Sequence, residues 1–254
     1  MLTVKLYISV INHSHDSIII KNPTLKKLAS VHVVIIKSNT PAGAELKNYC
    51  KAGNIILLES AGKKGFGANN NEIFSYSKNE LGMKNDDLFL VLNPDIVISV
   101  TSIDDLIRGI NTKNIDIASI NLFKDSEYQI YDNSIRHYPN VLSPIRSLFG
   151  LKRNDLYDKA TITTPTRIEW ASGSFLLFKV DTYKKLNGFD EKYFMYFEDA
   201  DICTRANKEG LNVYFFPSIK GIHYASHQNR LLFSRHFFWY LLSSVKYHCN
   251  LPLL

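Results

Sequence analysis

Short runs of apolar residues alternate with polar turns and longer mixed segments along the first 95 residues of the chain. The runs at 3–11, 31–36, 55–58 and 87–92 are rich in β-branched side chains and predict buried strands of the parallel type. Helices are expected between them, because parallel strands require a crossover connection. The alternation therefore predicts an α/β fold with a mostly parallel sheet and helices on both faces, and ligands bind such sheets beyond the carboxyl ends of the strands.

Proline and glycine mark the predicted helix boundaries in this half. A first helix is interrupted at Pro23, a second covers 41–51, and a third covers 68–81 after a loop at 62–67. The second half extends the pattern less regularly, and residues 122–166 are interpreted as a long loop region. The other predicted elements are helices at 102–110 and 181–186, one ending near Gly210 and one at 229–249, and strands at 115–120, 173–180 and 213–216, the last stopped by Pro217.

The composition argues against disorder, a disulfide framework and a thiolate zinc site. Of the 254 residues, 45% are hydrophobic and 21% are charged, as in ordinary globular proteins. Cys50, Cys203 and Cys249 are far apart and form no C-x-x-C pair, which favours a reducing compartment. Because the sequence shows no secretory signal pattern and no apolar run of membrane-spanning length, we expect a cytoplasmic protein, with peripheral attachment to the inner face of the plasma membrane left open.

The chain carries a formal charge of +6 and has a pI of about 9.0. An excess of this size suits an anionic small ligand, a membrane surface or nucleic acid. The basic residues are scattered, however, whereas a nucleic-acid-binding surface gathers them into a stripe with aromatic residues. We therefore expect no nucleic-acid partner.

The stretch Tyr193–Arg205 combines aromatic residues with the carboxylates Glu198, Asp199 and Asp201. At helical spacing Asp201 faces Arg205, and the other two carboxylates fall in the first turn, where the helix dipole favours negative charge. The stretch is consistent with an acidic helix start below an aromatic core stripe. It is equally consistent with a catalytic carboxylate, and the stretch alone does not decide between the two.

Two positions at strand ends carry side chains that suit a metal ion. Asp95 follows a buried strand within Asn93-Pro94-Asp95, and His223 closes a later strand. Mg²⁺ and Mn²⁺ take oxygen ligands from one or two carboxylates and from substrate phosphates, and an imidazole can complete the shell of Mn²⁺. The alternatives are an Asp that only forms a turn and a structural histidine.

Residues 65–71 read Gly-Phe-Gly-Ala-Asn-Asn-Asn. Glycine lets the backbone approach a ligand, and a helix N-terminus is a ready anion site. The segment matches neither the P-loop nor the dinucleotide-binding pattern. An asparagine-rich helix cap is the structural alternative, although three successive asparagines exceed what one cap needs.

These pieces, in this order, resemble the family 2 glycosyltransferases of the GT-A fold, and more narrowly the rhamnosyltransferase-like bacterial members that build surface polysaccharides. The resemblance runs from residue 3 to about residue 248. It also rests on Trp170-Ala171-Ser172-Gly173-Ser174 and on Gly188-Phe189-Asp190-Glu191.

The resemblance implies one GT-A domain over 1–228, followed by a C-terminal amphipathic helix over 229–254. Residues 1–95 are then the nucleotide-sugar-binding half, and residues 96–228 are the acceptor and catalytic half.

The resemblance further implies a role for each site residue. Asp199 matches the catalytic base, and Glu198 lies beside it. Asp95 and His223 match the ligands of Mg²⁺ or Mn²⁺, while Asn93 replaces the first Asp of the family's D-x-D motif. The implied acceptor-binding residues are Trp170, Gly173 and Glu198. The implied donor-binding residues are Asn12, Ser38, Asn39, Gly65, Phe66, Gly67, Asn69, Asn71, Asn93, Pro94 and Asp95.

One turn departs from the family pattern. The family usually has an Asp-Asn pair after the second strand, where the Asp contacts the nucleotide base, whereas this chain has Lys37-Ser38-Asn39-Thr40. Base recognition must therefore differ, or Ser38 and Asn39 replace the acid through neutral hydrogen bonds.

The activity implied by the resemblance is that of an inverting, metal-dependent glycosyltransferase. It moves a sugar, with L-rhamnose from dTDP-rhamnose as the candidate, from a nucleotide diphosphate sugar to a glycan hydroxyl. The expected acceptor is linked to polyprenyl diphosphate, as in O-antigen or capsule synthesis.

Two other functions stay open at this point. A nucleotidyltransferase usually has a glycine-rich, basic loop after its first strand, and residues 12–16 offer none. A catalytically inactive binding module of the same fold would have the same sequence pattern. Part of the aromatic and basic C-terminal helix is interpreted as a core helix packed on the sheet. Its aromatic content exceeds what one packed stripe needs and suits an anionic membrane surface, and a homodimer interface would look the same.

Overall fold

The computed structural model describes residues 4–60, 62–139, 155–224 and 235–250 of the chain. The strands are β1 (Leu6–Asn12), β2 (Val33–Ser38), β3 (Ile56–Glu59), β4 (Leu88–Leu92), β5 (Ile96–Val97), β6 (Ile117–Phe123), β7 (Ile135–Arg136), β8 (Thr166–Arg167), β9 (Trp170–Ala171), β10 (Phe175–Lys179) and β11 (Val213–His223). The α-helices are α1 (Asp16–Lys21), α2 (Thr24–Ala29), α3 (Ala44–Ala52), α4 (Phe66–Asn79), α5 (Val100–Lys113), α6 (Val180–Lys185), α7 (Glu198–Lys208) and α8 (Arg235–Asn250).

Within the described ranges, one large mixed sheet has the strand order β3-β2-β1-β4-β10-β6-β11-β5, and β8 also pairs with β11. Strands β3, β2, β1 and β4 are parallel, as predicted, and β10 is antiparallel to both β4 and β6. Because β6 is thereby parallel to β4, and β11 is parallel to β6, the carboxyl ends of all these parallel strands lie at one edge. The mostly parallel α/β fold is confirmed.

Both faces of the sheet are covered, which explains why a central strand such as β4 is continuously apolar. In β4, Leu88, Leu90 and Leu92 belong to one hydrophobic cluster, and Phe89 and Val91 belong to the other. Both clusters are almost free of solvent, and each such side chain contributes about 1.5–3 kcal/mol when fully buried.

Several predicted boundaries were wrong. The second strand continues through Ser38, so two of the four residues interpreted as a turn belong to it. Helix α4, which was predicted over 68–81, begins at Phe66, after Gly65 in extended conformation. The loop expected at 62–67 is therefore shorter than predicted. The late strand passes Pro217 without stopping, because its register shifts between Phe216 and Lys220 and a proline is tolerated at such an irregularity.

The C-terminal helix α8 packs on α7 through a buried tyrosine. Tyr247 is 2% exposed, and its hydroxyl lies 2.8 Å from the Thr204 hydroxyl. The ring of Phe197 lies between those of Tyr240 and Tyr247, at 5.3 and 5.4 Å. Residues 229–234 of the predicted helix lie outside the described part of the chain. Among the described helices, none has the length and apolarity required to cross a membrane.

Candidate active site

A cleft of about 710 Å³ opens at the edge where the parallel strands end. Segments that follow β1, β4 and β6, the last residue of β11, and the starts of α7 and α8 form its walls. The sequence-predicted residues that line it are Asn39, Phe66, Asn69, Asn93, Pro94, Asp95, Gly173, Glu198, Asp199 and His223. The fold thus brings together the predicted metal ligands, the predicted base and part of the predicted donor site.

The turn that carries Asp95 is fixed by buried hydrogen bonds. The Asn93 N–H donates to the Ser174 carbonyl at 2.9 Å, and Tyr224 N–H donates to the Asp95 carbonyl at 3.2 Å. The amide of Asn22 donates to the carbonyls of Pro94 and Ile96 at 2.9 and 2.7 Å. Asp95 therefore has a defined position at the base of the cleft.

His223 lies between two carboxylates. Its Nε2 is 3.4 Å from Oδ1 of Asp95, and its Nδ1 is 2.5 Å from Oδ2 of Asp132. Burial favours the neutral ring, but the two carboxylates outweigh it and raise the pKa of His223 to about 9. This point of the cleft therefore stabilises positive charge.

The donor set fits a hard divalent cation that shares its shell with a substrate. Oδ1 of Asp95 is buried, and apart from the 3.4 Å contact with Nε2 of His223 it has no hydrogen-bond partner among the described residues. A carboxylate oxygen and an imidazole leave most of a Mg²⁺ or Mn²⁺ shell for phosphate and water. Within the described ranges, no group of three or more His, Cys, Asp and Glu side chains is arranged to hold a metal by itself.

Glu198 and Asp199 begin α7 and face the cleft. Oδ2 of Asp199 accepts from the Gly173 N–H at 2.9 Å, and Oδ1 accepts from the Ala200 N–H at 2.8 Å. Burial raises the pKa of Asp199 against these hydrogen bonds. A carboxylate has about four acceptor positions, so Asp199 keeps acceptor capacity toward the cleft.

The neighbouring carboxyl group differs from Asp199 in its surroundings. Glu198 is 6% exposed, and its Oε2 is buried without a hydrogen-bond partner among the described residues. Burial first, and then the charge of Asp199, raise the pKa of Glu198 well above its ordinary value. A protonated Glu198 can donate to a bound hydroxyl while Asp199 accepts, so the pair can perform two different tasks.

A strained turn aims this pair into the cleft. Tyr196 and Phe197 have φ angles of 71° and 68°, in the left-handed region that large side chains rarely adopt. Such residues cost roughly 1–3 kcal/mol each and persist where packing enforces them. Packing of Phe197 on α8 and a 3.0 Å contact between the Tyr196 hydroxyl and Nδ1 of His236 hold the turn.

The predicted ion pair between Asp201 and Arg205 is confirmed at 2.7 Å.

The three asparagines of α4 bind protein groups. Asn70 accepts from the Ser9 hydroxyl at 2.6 Å, and Asn71 accepts from the Tyr183 hydroxyl at 2.7 Å and donates to the Phe189 carbonyl at 2.8 Å. Asn69 donates to two backbone carbonyls, and its Oδ1 has no partner among the described residues. Only Asn69 of the three lines the cleft, so the repeated asparagine has mainly a structural explanation.

Gly65 and Gly67 permit close packing of α4. A Cβ on Gly65 would lie 2.5 Å from the Phe194 carbonyl oxygen, and one on Gly67 would lie 2.8 Å from Cβ of Phe189. Neither glycine lines the cleft. The close contacts of α4 with residues 189–194 therefore explain why positions 65 and 67 require glycine.

Three further predicted residues lie behind the cleft wall. The Asn12 amide donates to the hydroxyl of Ser38 at 2.8 Å, which ties the ends of β1 and β2 together. Trp170 is 6% exposed and donates from its indole to the His137 carbonyl at 2.8 Å. The structure places all three beside the cleft lining, and their substrate contacts stay predictions.

Sequence reasoning missed a positively charged part of the cleft. The additional basic residues in the lining are His13, His15, Lys63, Lys64, Arg136, Arg235 and His236. Burial lowers the pKa of His13, and the charges of Lys63, His15 and His236 lower it further, so these side chains share one region. These four side chains come from three segments that are distant in the sequence, so no local sequence pattern predicts that they lie together. Such a region suits the diphosphate of a ligand.

Comparisons with known proteins indicate glycosyltransferases. The family model described as the N-terminal domain of galactosyltransferase matches residues 161–228, which include the Glu198–Asp199 pair and His223. Rhamnosyltransferase WbbL of Escherichia coli strain K12 is 33% identical over 244 residues, covering 95% of this chain and 92% of that protein. N-acetylglucosaminyl-diphospho-decaprenol L-rhamnosyltransferase of Mycobacterium tuberculosis strain H37Rv is 27% identical over 211 residues, covering 78% of this chain and 67% of that protein.

A solved structure shares the fold. The crystal structure of GalNAc-T7 with UDP, GalNAc and Mn²⁺ aligns with a TM-score of 0.61 and 13% identity, covering 87% of this chain and 43% of that chain.

Proposed function

The chain belongs to the GT-A-fold glycosyltransferases that include these bacterial rhamnosyltransferases, and from that premise we propose that it transfers L-rhamnose from dTDP-rhamnose to a lipid-linked glycan acceptor. The observation that carries the proposal is one cleft in which a buried carboxylate pair and a cation-favouring pair, Asp95 and His223, occur together. The name of the mycobacterial relative supports an acceptor on a polyprenyl diphosphate.

The residues of the cleft divide the reaction between them. Asp199 accepts the proton of the attacking acceptor hydroxyl, and the protonated Glu198 donates a hydrogen bond to a neighbouring acceptor oxygen. Attack on the anomeric carbon breaks the bond to the nucleoside diphosphate in a single displacement, which inverts the configuration. Lys63 and Arg235 offer charge to phosphate groups, and the ring of His13 can donate a hydrogen bond beside them. Asp95 and His223 would hold Mg²⁺ or Mn²⁺, which when bound neutralises charge on the diphosphate leaving group.

A panel of nucleotide sugars tests the proposed activity. The chain is incubated with Mn²⁺ or Mg²⁺, each sugar, and a short-chain polyprenyl-diphosphate N-acetylglucosamine acceptor, and released nucleoside diphosphate is measured. We expect fastest release from dTDP-rhamnose, with product of increased mass and inverted linkage. Pyrophosphate release from a nucleoside triphosphate and a sugar phosphate would instead indicate a nucleotidyltransferase. Binding without turnover of any sugar would indicate an inactive module.

Helix α8 presents an apolar face beside the cleft that suits the acceptor's membrane. Phe238, Leu241, Leu242 and Val245 recur at helical spacing and are 53%, 37%, 59% and 61% exposed. The helix contains no acidic residue, and the exposed basic residue Lys246 lies next to the apolar stripe. The opposite side of its first turns lines the cleft. We propose that this face rests on an anionic lipid surface.

The double variant Leu242→Glu/Val245→Glu is expected to lose at least ~10-fold in affinity for anionic vesicles, because two inserted side chains become charged. Flotation with phosphatidylglycerol vesicles measures the binding, which should also weaken as salt rises. Val31→Glu is the matched control, since Val31 is 59% exposed on another part of the surface. Equal flotation of both variants, or a stable wild-type dimer by light scattering without vesicle binding at low salt, would exclude the membrane contact.

A further inference from the structure

The mechanism above uses only one of the two carboxylates that contact His223. Asp132 follows β6 after a short loop, and its side chain is 16% exposed. Oδ2 of Asp132 contacts Nδ1 of His223, whereas Nε2 is the ring nitrogen that lies near Asp95. Nothing in the sequence pattern marked Asp132 as part of the site.

The segment that carries Asp132 is held firmly in place. The Asp132 N–H donates to the Leu122 carbonyl at 2.9 Å. The buried amino group of Lys159 donates to that same carbonyl at 3.2 Å and to the Ser134 hydroxyl at 2.8 Å. These bonds tie Leu122 and Ser134, on either side of the loop, to one buried side chain, and so they help to place the Asp132 carboxylate against His223.

We propose that Asp132 is a positioning residue that keeps His223 in the tautomer and orientation needed to bind the cation of the proposed reaction. A divalent cation bound at Asp95 would replace the proton on Nε2, and a carboxylate that accepts from Nδ1–H would keep the remaining proton on Nδ1 and direct the Nε2 lone pair to the Asp95 side. The inference rests on the proposed metal-dependent function.

The geometry argues against Asp132 as a direct ligand. Its carboxylate lies on the Nδ1 side of the ring, and Asp95 lies on the Nε2 side, so an ion between Asp95 and Nε2 is separated from Asp132 by the imidazole. This arrangement orients a ligand and increases its basicity without entering the metal shell.

The test measures Mn²⁺ affinity directly, through the electron paramagnetic resonance signal of free Mn²⁺ titrated with protein and thymidine diphosphate. Asp132→Ala should weaken binding by ~10–100-fold, the usual effect of removing such a partner. Asp132→Asn should lose less, because its amide oxygen still accepts from Nδ1–H, and it serves if the alanine variant unfolds. Asp105→Ala, which removes an exposed carboxylate on α5, should bind as the wild type does.

A second readout separates positioning from loss of structure. The ¹⁵N shifts of the His223 ring should report protonation at Nδ1 in the wild-type chain bound to Mg²⁺ and nucleotide, and a mixture of tautomers in Asp132→Ala. Wild-type Mn²⁺ affinity and an unchanged ring in the folded Asp132→Ala variant would overturn this inference alone. Failure of the wild-type chain to bind Mn²⁺ would overturn the metal assignment as well.

Discussion

Asp199→Asn is expected to lower kcat at least ~100-fold, because the change keeps the size of the side chain and removes the proton acceptor. Donor affinity should change little, since the proposed partner of Asp199 is the acceptor hydroxyl and its two hydrogen bonds come from the Gly173 and Ala200 N–H groups. The measurement is the steady-state rate of nucleoside diphosphate release with acceptor present, together with donor Kd by calorimetry. The thermal unfolding of the variant must be measured as well. An asparagine has one accepting oxygen, so it can replace only one of the two hydrogen bonds that Asp199 accepts from backbone N–H groups.

Glu198→Gln provides the discriminating comparison. Glu198 is buried and its pKa is raised well above the ordinary value, which favours its protonated form, and a glutamine reproduces the donor capacity of that form. We therefore expect a mild loss in Glu198→Gln beside the severe loss in Asp199→Asn. A severe loss in Glu198→Gln with a mild loss in Asp199→Asn would assign the base to the other carboxylate.

The pH dependence of kcat follows from the same pair. A base must be deprotonated, and burial raises the pKa of Asp199 above its usual range. The rate should therefore rise with pH through this raised pKa and disappear in acid. The residual activity of Asp199→Asn should lack that acid limb.

The parallel half of the fold follows from sequence because its strands are buried on both faces. A strand such as β4, whose five residues are all buried, leaves a continuous apolar run that a sequence pattern can detect. The predicted boundaries of strands were wrong where a polar residue was interpreted as the start of a turn. Lys37 was expected in a turn, yet it lies in a strand and pairs with Glu72 at 2.6 Å.

The candidate site was predictable where one short segment supplies its chemistry. Asp95, Glu198 and Asp199 lie in segments whose residue types repeat a family pattern. Asp132 and Arg136 lie in an irregular region, and only the tertiary fold brings them to His223 and Asp199. Information about such contacts is spread over the long-range packing of the sheet, so no window of sequence contains it.

The asparagines at 69–71 show a different limit of sequence reasoning. A repeated polar residue beside glycine suggests a ligand site, but a helix packed against irregular backbone needs side-chain amides for its own contacts. The Asn71 amide forms hydrogen bonds with two separate segments, at Tyr183 and Phe189, and these bonds account for an asparagine at this position without a ligand. Residue type alone cannot separate these two uses of an amide.

The largest loss is expected from Asp95→Ala, which should remove detectable transfer and Mn²⁺ binding together. The carboxylate is the anionic oxygen ligand offered beside His223, and the contact that the alanine variant loses is the one between Oδ1 and Nε2 of His223 at 3.4 Å. Loss of about 3 kcal/mol or more of charge stabilisation on the leaving diphosphate corresponds to at least ~100-fold in rate. The fold should persist, because backbone groups rather than the carboxylate anchor the Asn93–Asp95 turn.

Three measurements on Asp95→Ala decide this assignment: transfer rate, Mn²⁺ titration and thermal unfolding. Asp105→Ala is the matched control, because it removes an exposed carboxylate on α5 that forms a surface ion pair. Near-normal transfer by Asp95→Ala with Mn²⁺ present would exclude Asp95 as the metal ligand. Lost transfer with unchanged Mn²⁺ affinity would place its role in contacts with the sugar instead, because the ion would then be held by other groups of the cleft.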